Sequence, residues 1–344
     1  MSVVLNTLYV TQPDAYLKLE RDTLCVMIDQ QKRLQVPLQH LGALVLFDHV
    51  MVSPALMGRC MEDGRSIVWL DRSGRFKARL EGPVSGNVLL RQSQYRTADN
   101  MERRLFLAQR FIAGKLRNSR QVLLRAARES GNAKEKAELV QAAKVLANQI
   151  RKLPSARDLD QVRGLEGDGA RQYFSLLDRV IKPSMRHDFD FDTRNRRPPR
   201  DRFNAMLSFL YALVLNDCRS ALETVGLDSQ AGFFHTLRPG RPALALDLQE
   251  EFRAPLADRL TLTLVNRGQI KPNHFDTFAN GTVLLNDEGR KLVIGAYQAR
   301  KQETLNHPFL EQRLSIGLLP HIQARLLARY LRGDLTDYVP YLQR

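Results

Sequence analysis

The apolar residues of this chain change their spacing once, and that change limits the fold more than any other feature. Up to about residue 80 they fall in short runs of period two, over 7–10, 15–20, 23–29, 32–37, 43–47, 67–70 and 76–80, separated by turn residues such as Pro13-Asp14, Arg21-Asp22 and Ser73-Gly74. The stretch Glu81-Gly82-Pro83-Val84-Ser85-Gly86 breaks the series, and beyond it the period becomes 3.6. The expectation is an α+β fold: a small N-terminal β-strand domain over 1–85, then a larger, mainly α-helical C-terminal domain over 86–344. A single core rarely grows to 344 residues, so the length also suits two domains. One helix is expected among the strands, over 54–61, because Ser53 is a natural N-cap and Pro54 suits the first helical position.

In the C-terminal part, Leu105, Ala108, Phe111, Ile112, Leu116, Leu123 and Ala126 form the apolar stripe of a long helix over 99–128. A second helix over 133–153 stops at Pro154. A third, over 155–182, carries Gly164, Gly167 and Gly169. Each glycine costs a helix about 1 kcal/mol relative to alanine, which calls for a close neighbour or a ligand. Residues 203–224 are apolar all round and belong at the centre of the core, with Asn204, Ser208 and Tyr211 on one face. Residues 282–294 read as a β-hairpin inserted among the helices, which resume over 296–304 and 310–332.

Charge narrows the partner class. Lys and Arg number 52 against 37 Asp and Glu, a balance of +15. Such a field attracts polyanions, and a guanidinium fork suits phosphate oxygens, so nucleic acid leads. The first long helix alone carries Arg103, Arg104, Arg110, Lys115, Arg117, Arg120 and Arg125, a row able to follow a phosphate backbone or simply to face solvent. No apolar run approaches the roughly 20 residues that span a bilayer, and the first residues do not form a signal peptide. Cys25, Cys60 and Cys218 are widely spaced without a CxxC pair, as expected for buried thiols of a cytoplasmic protein.

Candidate chemistry gathers at three places. His235 ends an apolar segment, and beyond a turn rich in Arg, Pro and Gly come Asp247 and Glu250. Three residues apart, these acids share a helical face about 5–6 Å apart at Cβ, close enough to hold one cation. Far upstream, Glu166 lies at the edge of the apolar stripe of the third helix, where a carboxylate must be paired, protonated or metal-bound. Pairing with Arg163 or Arg171 is the alternative that needs no ligand. Oxygen donors with one imidazole suit Mg2+ or Mn2+ better than zinc. No GxxxxGK[ST], GxGxxG or GxSxG motif argues for nucleotide hydrolysis, dinucleotide binding or acyl transfer. The residues by themselves point to a metal-dependent enzyme acting on nucleic acid.

Several of these blocks resemble one family. Gly164-Leu165-Glu166-Gly167 with Ala170-Arg171 and Tyr173-Phe174 is the first, and Gly232-Phe233-Phe234-His235 with Arg238-Pro239-Gly240-Arg241-Pro242 the second. Leu246-Asp247-Leu248-Gln249-Glu250-Glu251-Phe252-Arg253 is the third. In this order they resemble the integrase of CRISPR adaptation, the universal Cas protein that inserts new spacers, and residues 284–290 and 316–335 are similar to its subtype I-C branch. The resemblance implies a catalytic set of Glu166, His235, Asp247 and Glu250. Of these, Glu166, His235 and Glu250 would be metal ligands, and Asp247 a neighbouring or alternate one. Arg163, Arg171, Arg238, Arg241 and Arg253 would contact DNA phosphates. It further implies a homodimer, with dimer and partner contacts in the N-terminal domain. A small ferredoxin-like Cas partner would complete a heterohexamer. The reaction would join the 3′-hydroxyl ends of captured double-stranded DNA to the border of a CRISPR repeat. A structure-specific metal-dependent nuclease acting on branched DNA and a non-catalytic DNA-binding scaffold are the alternatives.

Overall fold

The computed structural model describes residues 6–82, 88–196 and 198–343. Most of the sequence break around Pro83 to Gly86 lies outside them. Contacts divide the chain into two units, Met1–Ser85 with Leu285–Gly295, and Gly86–Leu284 with Ala296–Arg344.

The first unit holds β1 (Asn6–Val10), β2 (Tyr16–Glu20), β3 (Thr23–Ile28), β4 (Gln31–Pro37), β5 (Leu41–Phe47), β6 (Met51–Val52), α1 (Pro54–Glu62), β7 (Ser66–Leu70) and β8 (Phe76–Leu80). They form two four-stranded sheets, ordered β1-β5-β7-β8 and β4-β3-β2-β6. Strands β5 and β7 are parallel, so a crossover must join them, and α1 provides it. Ser53 caps that helix by accepting the Leu56 N–H at 3.3 Å. Between β3 and β4 the chain reverses through Asp29 and Gln30, both at positive φ, the geometry of a two-residue hairpin. Leu17, Leu24, Leu44, Leu46, Leu56 and Ile67 bury the core.

The second unit opens with α2 (Val88–Asp99), α3 (Met101–Glu129) and α4 (Ala133–Lys152), and continues with α5 (Leu159–Phe174), α6 (Leu177–Val180), α7 (Pro183–Arg186) and α8 (Arg202–Thr224). Asn100, Asn132, Asp158 and Asp201 cap α3, α4, α5 and α8, each accepting a backbone N–H with its side chain. Then come α9 (Ala243–Glu250), a π-helical turn over Arg253–Asp258, α10 (Arg259–Asn266), β9 (Phe275–Thr277) and β10 (Val283–Leu285). The helix α11 (Asp287–Gln302), strands β11 (Thr304–Asn306) and β12 (Arg313–Ser315), and α12 (Leu319–Arg332) complete the chain. Helix α8 is the core element, packed on α9 and α12, while α3 packs on α4, α5 and α9. Among the described residues no helix is long and apolar enough to cross a membrane.

Four expectations need correction, one of them the helix read over 310–332: residues 313–315 form β12, and the helix starts only at Leu319. The hairpin read over 282–294 does not form there: β10 pairs with the upstream β9, and residues 287–302 are helical. Asn286 accepts the Gly289 N–H at 2.9 Å, and Asp287 and Glu288 occupy the first turn, so Asn-Asp-Glu-Gly is a helix start and not a turn. The helix expected over 155–182 breaks at Ser175-Leu176. Of its three glycines only Gly169 has a neighbour within reach of a Cβ, the Leu116 side chain of α3. Helix α2 has no counterpart among the expected elements.

Candidate metal centre

The centre is organised from Asp247, whose carboxylate is fully buried on α9. Its Oδ2 accepts the Phe233 N–H at 2.6 Å and the Phe234 N–H at 3.0 Å. Its Oδ1 accepts the His235 N–H at 2.9 Å and lies 2.7 Å from His235 Nδ1. Three backbone donors and one imidazole take up the acceptor positions of a carboxylate. The chain can wrap this tightly because residue 232 is glycine: a Cβ there would stand 2.6 Å from the Ala243 carbonyl carbon and 2.8 Å from Asp247 Oδ2. With Nδ1–H donated to Asp247, the imidazole keeps its lone pair at Nε2. That nitrogen is 3.7 Å from Glu250 Oε1.

Glu250, one turn further along α9, is 2 % exposed. Its Oε1 is 2.7 Å from Arg253 Nη1. Its Oε2 is 2.9 Å from Lys115 Nζ, near enough for an ion pair but without the alignment of a hydrogen bond. Burial pushes this carboxyl up, but Arg253 and Lys115 outweigh it and hold it at about 2. Glu166 of α5 reaches the same ammonium, accepting from Lys115 Nζ through Oε1. Burial works against the charge of Lys115, yet Glu250 and Glu166 raise its pKa overall. Carboxylates from two helices thus meet on one cation supplied by a third, α3.

A divalent ion suits this donor set. The glutamates already share a positive charge, Glu250 Oε2 retains an unaligned lone pair, and His235 Nε2 faces the same carboxylate. Two oxygens and one imidazole are the ligand chemistry of Mg2+ or Mn2+. Among the described residues no three His, Cys, Asp or Glu side chains are gathered closely enough to hold a metal by themselves, because the ammonium stands between the two glutamates.

Beside Lys115 lies a second buried carboxyl. Asp258 accepts from the hydroxyls of Tyr173 and Tyr211, each at 2.8 Å, and burial pushes it up to about 6 despite these donors. Lys115, Tyr173, Tyr211, Arg253 and Asp258 help to line a cavity of about 20 Å3, room for one water-sized group. By sequence, Lys115 falls in a row of cations facing phosphate or solvent, and Asp258 is not among the expected site residues. The available signal was position: Lys115 follows Phe111 by one turn and precedes Leu116, which puts a cation on the buried stripe of α3.

The arginines divide. Arg253, expected against DNA, is turned inward: it pairs with Glu250, donates to Gln249 Oε1 at 3.2 Å and lies over the Tyr211 ring. Arg171 is exposed beside Asp168 at 3.3 Å, and Arg163 pairs with Asp160 at the surface. Arg238 is exposed on the turn after His235, and Arg241 donates to the Thr236 carbonyl at 3.4 Å. The row of cations on α3 is largely committed internally. Arg104 donates to the Phe233 carbonyl, Arg110 to Asp337 and Arg120 to the Ala143 carbonyl, while Lys115 joins the glutamates. Asn204, Ser208 and Tyr211 bond Arg194 and Asp258, not the acids of the centre.

Comparison with known proteins agrees with this arrangement. Residues 8–299 match the family model described as CRISPR associated protein Cas1. The CRISPR-associated endonuclease Cas1 1 of Moorella thermoacetica is 51 % identical over 344 residues, covering 100 % of both chains. Among solved structures, a Cas1 protein from Thermotoga maritima superposes with a TM-score of 0.82 at 23 % identity, over 98 % of this chain and 100 % of the other. A casposase bound to its integration product gives 0.84 at 19 % identity, over 98 % and 94 %. At these identities the two structures establish the fold, an α+β chain with an N-terminal strand region and a mainly helical remainder.

Proposed function

The chain belongs to the Cas1 family and is an endonuclease and integrase of CRISPR adaptation, and we propose that its phosphodiester chemistry runs at the centre built on Glu166, His235 and Glu250. The observation that carries this reading is the convergence of Glu166 and Glu250 on one cation, with the lone pair of His235 Nε2 turned to the same carboxylate. Enzymes of this family are divalent-metal dependent. These three residues would hold Mg2+ or Mn2+, which when bound lowers the pKa of an attacking hydroxyl and offsets charge on the phosphate oxygens. Asp247 acts one step back, fixing the His235 tautomer and the path of residues 233–235. Arg253 keeps Glu250 ionised and aimed. Arg163, Arg171, Arg238 and Arg241 remain the candidates for holding DNA through its phosphates, with little reading of sequence.

The substrates in this reading are double-stranded DNA with free 3′-hydroxyls and the border of a CRISPR repeat. The finer assembly follows the family resemblance: the subtype I-C branch, a homodimer, and a heterohexamer with a small ferredoxin-like Cas partner. The strand-rich unit would provide the dimer and partner contacts, and the cytoplasm would be the site of action. The test incubates the protein and its partner with short duplexes, supercoiled repeat DNA and Mg2+ or Mn2+. Joined product that disappears in Glu166→Gln and His235→Ala is expected. Cleavage without joining would favour a nuclease of branched DNA, and full joining by both variants would move the chemistry away from this centre.

A further inference from the structure

Away from the metal centre, three guanidinium groups from three helices face one cavity of about 340 Å3. Arg125 comes from α3, Arg259 from the first residue of α10 and Arg300 from α11, and Glu303, Thr304, Asn306, Tyr341 and Gln343 add to the polar lining. Like charges that line one cavity repel, the more so where water is excluded, so they converge only where something offsets them. Two of the three have a local carboxylate: Arg125 Nε is 2.8 Å from Glu129, and Arg300 pairs with Glu303. The third is different. Among the described residues Arg259 makes no side-chain ion pair or hydrogen bond. Burial lowers its pKa, and Arg125 and Arg300 lower it further.

The rest of the lining also has bonding capacity to spare. Tyr341 is 3 % exposed, and its ring stacks on Phe252 at 5.8 Å, which holds it in place. Its hydroxyl has no hydrogen bond among the described residues. Gln343 Oε1 is buried without a partner, and a side-chain amide can present either an acceptor or two donors to a ligand. Three cations against two carboxylates leave a positive surplus, in a cavity at the small end of ligand-site volumes. Planar guanidinium forks suit phosphate, as they suit carboxylate, because they bind two oxygens at once. None of these lining residues takes part in the metal centre.

We propose that this cavity is an anion site, taking a phosphate group of a DNA strand through Arg259, Arg300 and Arg125. It rests on the reading of the protein as a DNA-processing enzyme. A cavity of this size admits one phosphate with its sugar and not a duplex, so the group bound belongs to a strand end or an extruded nucleotide. A free mononucleotide offers the same chemistry.

The test measures binding of a fluorescein-labelled single strand by anisotropy, in EDTA, between 50 and 200 mM KCl. Arg259→Gln is expected to weaken binding about five- to tenfold at the lower salt, and to reduce the slope of log K against log salt by about 0.7, the share of one single-strand phosphate contact. Arg259→Lys, which keeps the charge, should restore most of the slope. Arg300→Gln should move both quantities the same way and serves if Arg259→Gln does not fold. Competition with dAMP separates the two sources. Displacement of the strand from wild type but not from Arg259→Gln would assign the cavity to free nucleotides as well. Unchanged affinity and slope in two folded variants would overturn the proposal. If the wild type binds no strand at all, the DNA-processing reading falls instead, and calorimetric titration with dAMP and inorganic phosphate then decides the cavity: no heat overturns it.

Discussion

Replacing Lys115 by methionine tests whether its ammonium holds the place of the metal. Methionine keeps most of the aliphatic volume, so packing changes little. The charge balance changes sharply. Glu250 retains Arg253 at 2.7 Å, but Glu166 loses its ion-pair partner and the two carboxylates face each other without a shared cation. Removing one member of a buried pair costs about 3–5 kcal/mol. Glu166 keeps 22 % of its side-chain exposure and Arg253 still offsets Glu250, so about 2–3 kcal/mol is the expected loss without metal. At about 2–4 °C per kcal/mol for a unit of this size, melting in EDTA should fall by roughly 4–12 °C. The sign reverses for metal. In the wild type a divalent ion must displace the ammonium, whereas in Lys115→Met it meets two uncompensated carboxylates, so apparent Mn2+ affinity should rise about tenfold or more. Melting in EDTA and in saturating Mn2+, with an electron paramagnetic resonance titration of Mn2+, gives both numbers. An unchanged melting temperature in EDTA, or weaker Mn2+ binding by the variant, would refute the reasoning.

Asp247→Asn should lose about 3 kcal/mol, because one amide oxygen replaces two carboxylate oxygens and its NH2 is set against backbone N–H donors. It should also release the proton of His235 from Nδ1, which nitrogen-15 spectra of the imidazole detect; an unchanged tautomer would mean that Asp247 does not set it. Asp258 gives a pH signature: its folded value of about 6 lies above the usual 3.8, so its contribution is complete below about pH 4 and is lost as pH rises to about 6. The loss is about 3 kcal/mol across that window, and urea unfolding of Asp258→Asn at pH 4 and pH 7 should lack it; parallel pH profiles for wild type and variant would count against a raised pKa.

Much of the architecture follows from local rules that one-dimensional reading can apply. Alternation marked the strands of the first unit, and Ser53-Pro54 marked the start of α1 because capping needs only neighbouring residues. Helix α2 escaped because its buried face carries Gln94 and Thr97, where an apolar stripe would be sought. Gln94 is explained by distant partners, since it donates to the carbonyls of Asp228 and Ala231, each at 2.8 Å. Residues 282–294 escaped for the opposite reason, since Asn-Asp-Glu-Gly satisfies the rules for a turn and for a helix start, and only tertiary context chooses. At the centre, Glu166, His235, Asp247 and Glu250 stood out as polar groups in apolar surroundings. Their division of labour did not. The spacing of Asp247 and Glu250 correctly put both on one helical face, yet the loop wraps the first and α3 sends a cation to the second. Spacing along a helix determines which residues share a face. What each one binds depends on the elements packed against that face, and here Gly232 and Lys115, both remote in sequence from Glu250, make the difference.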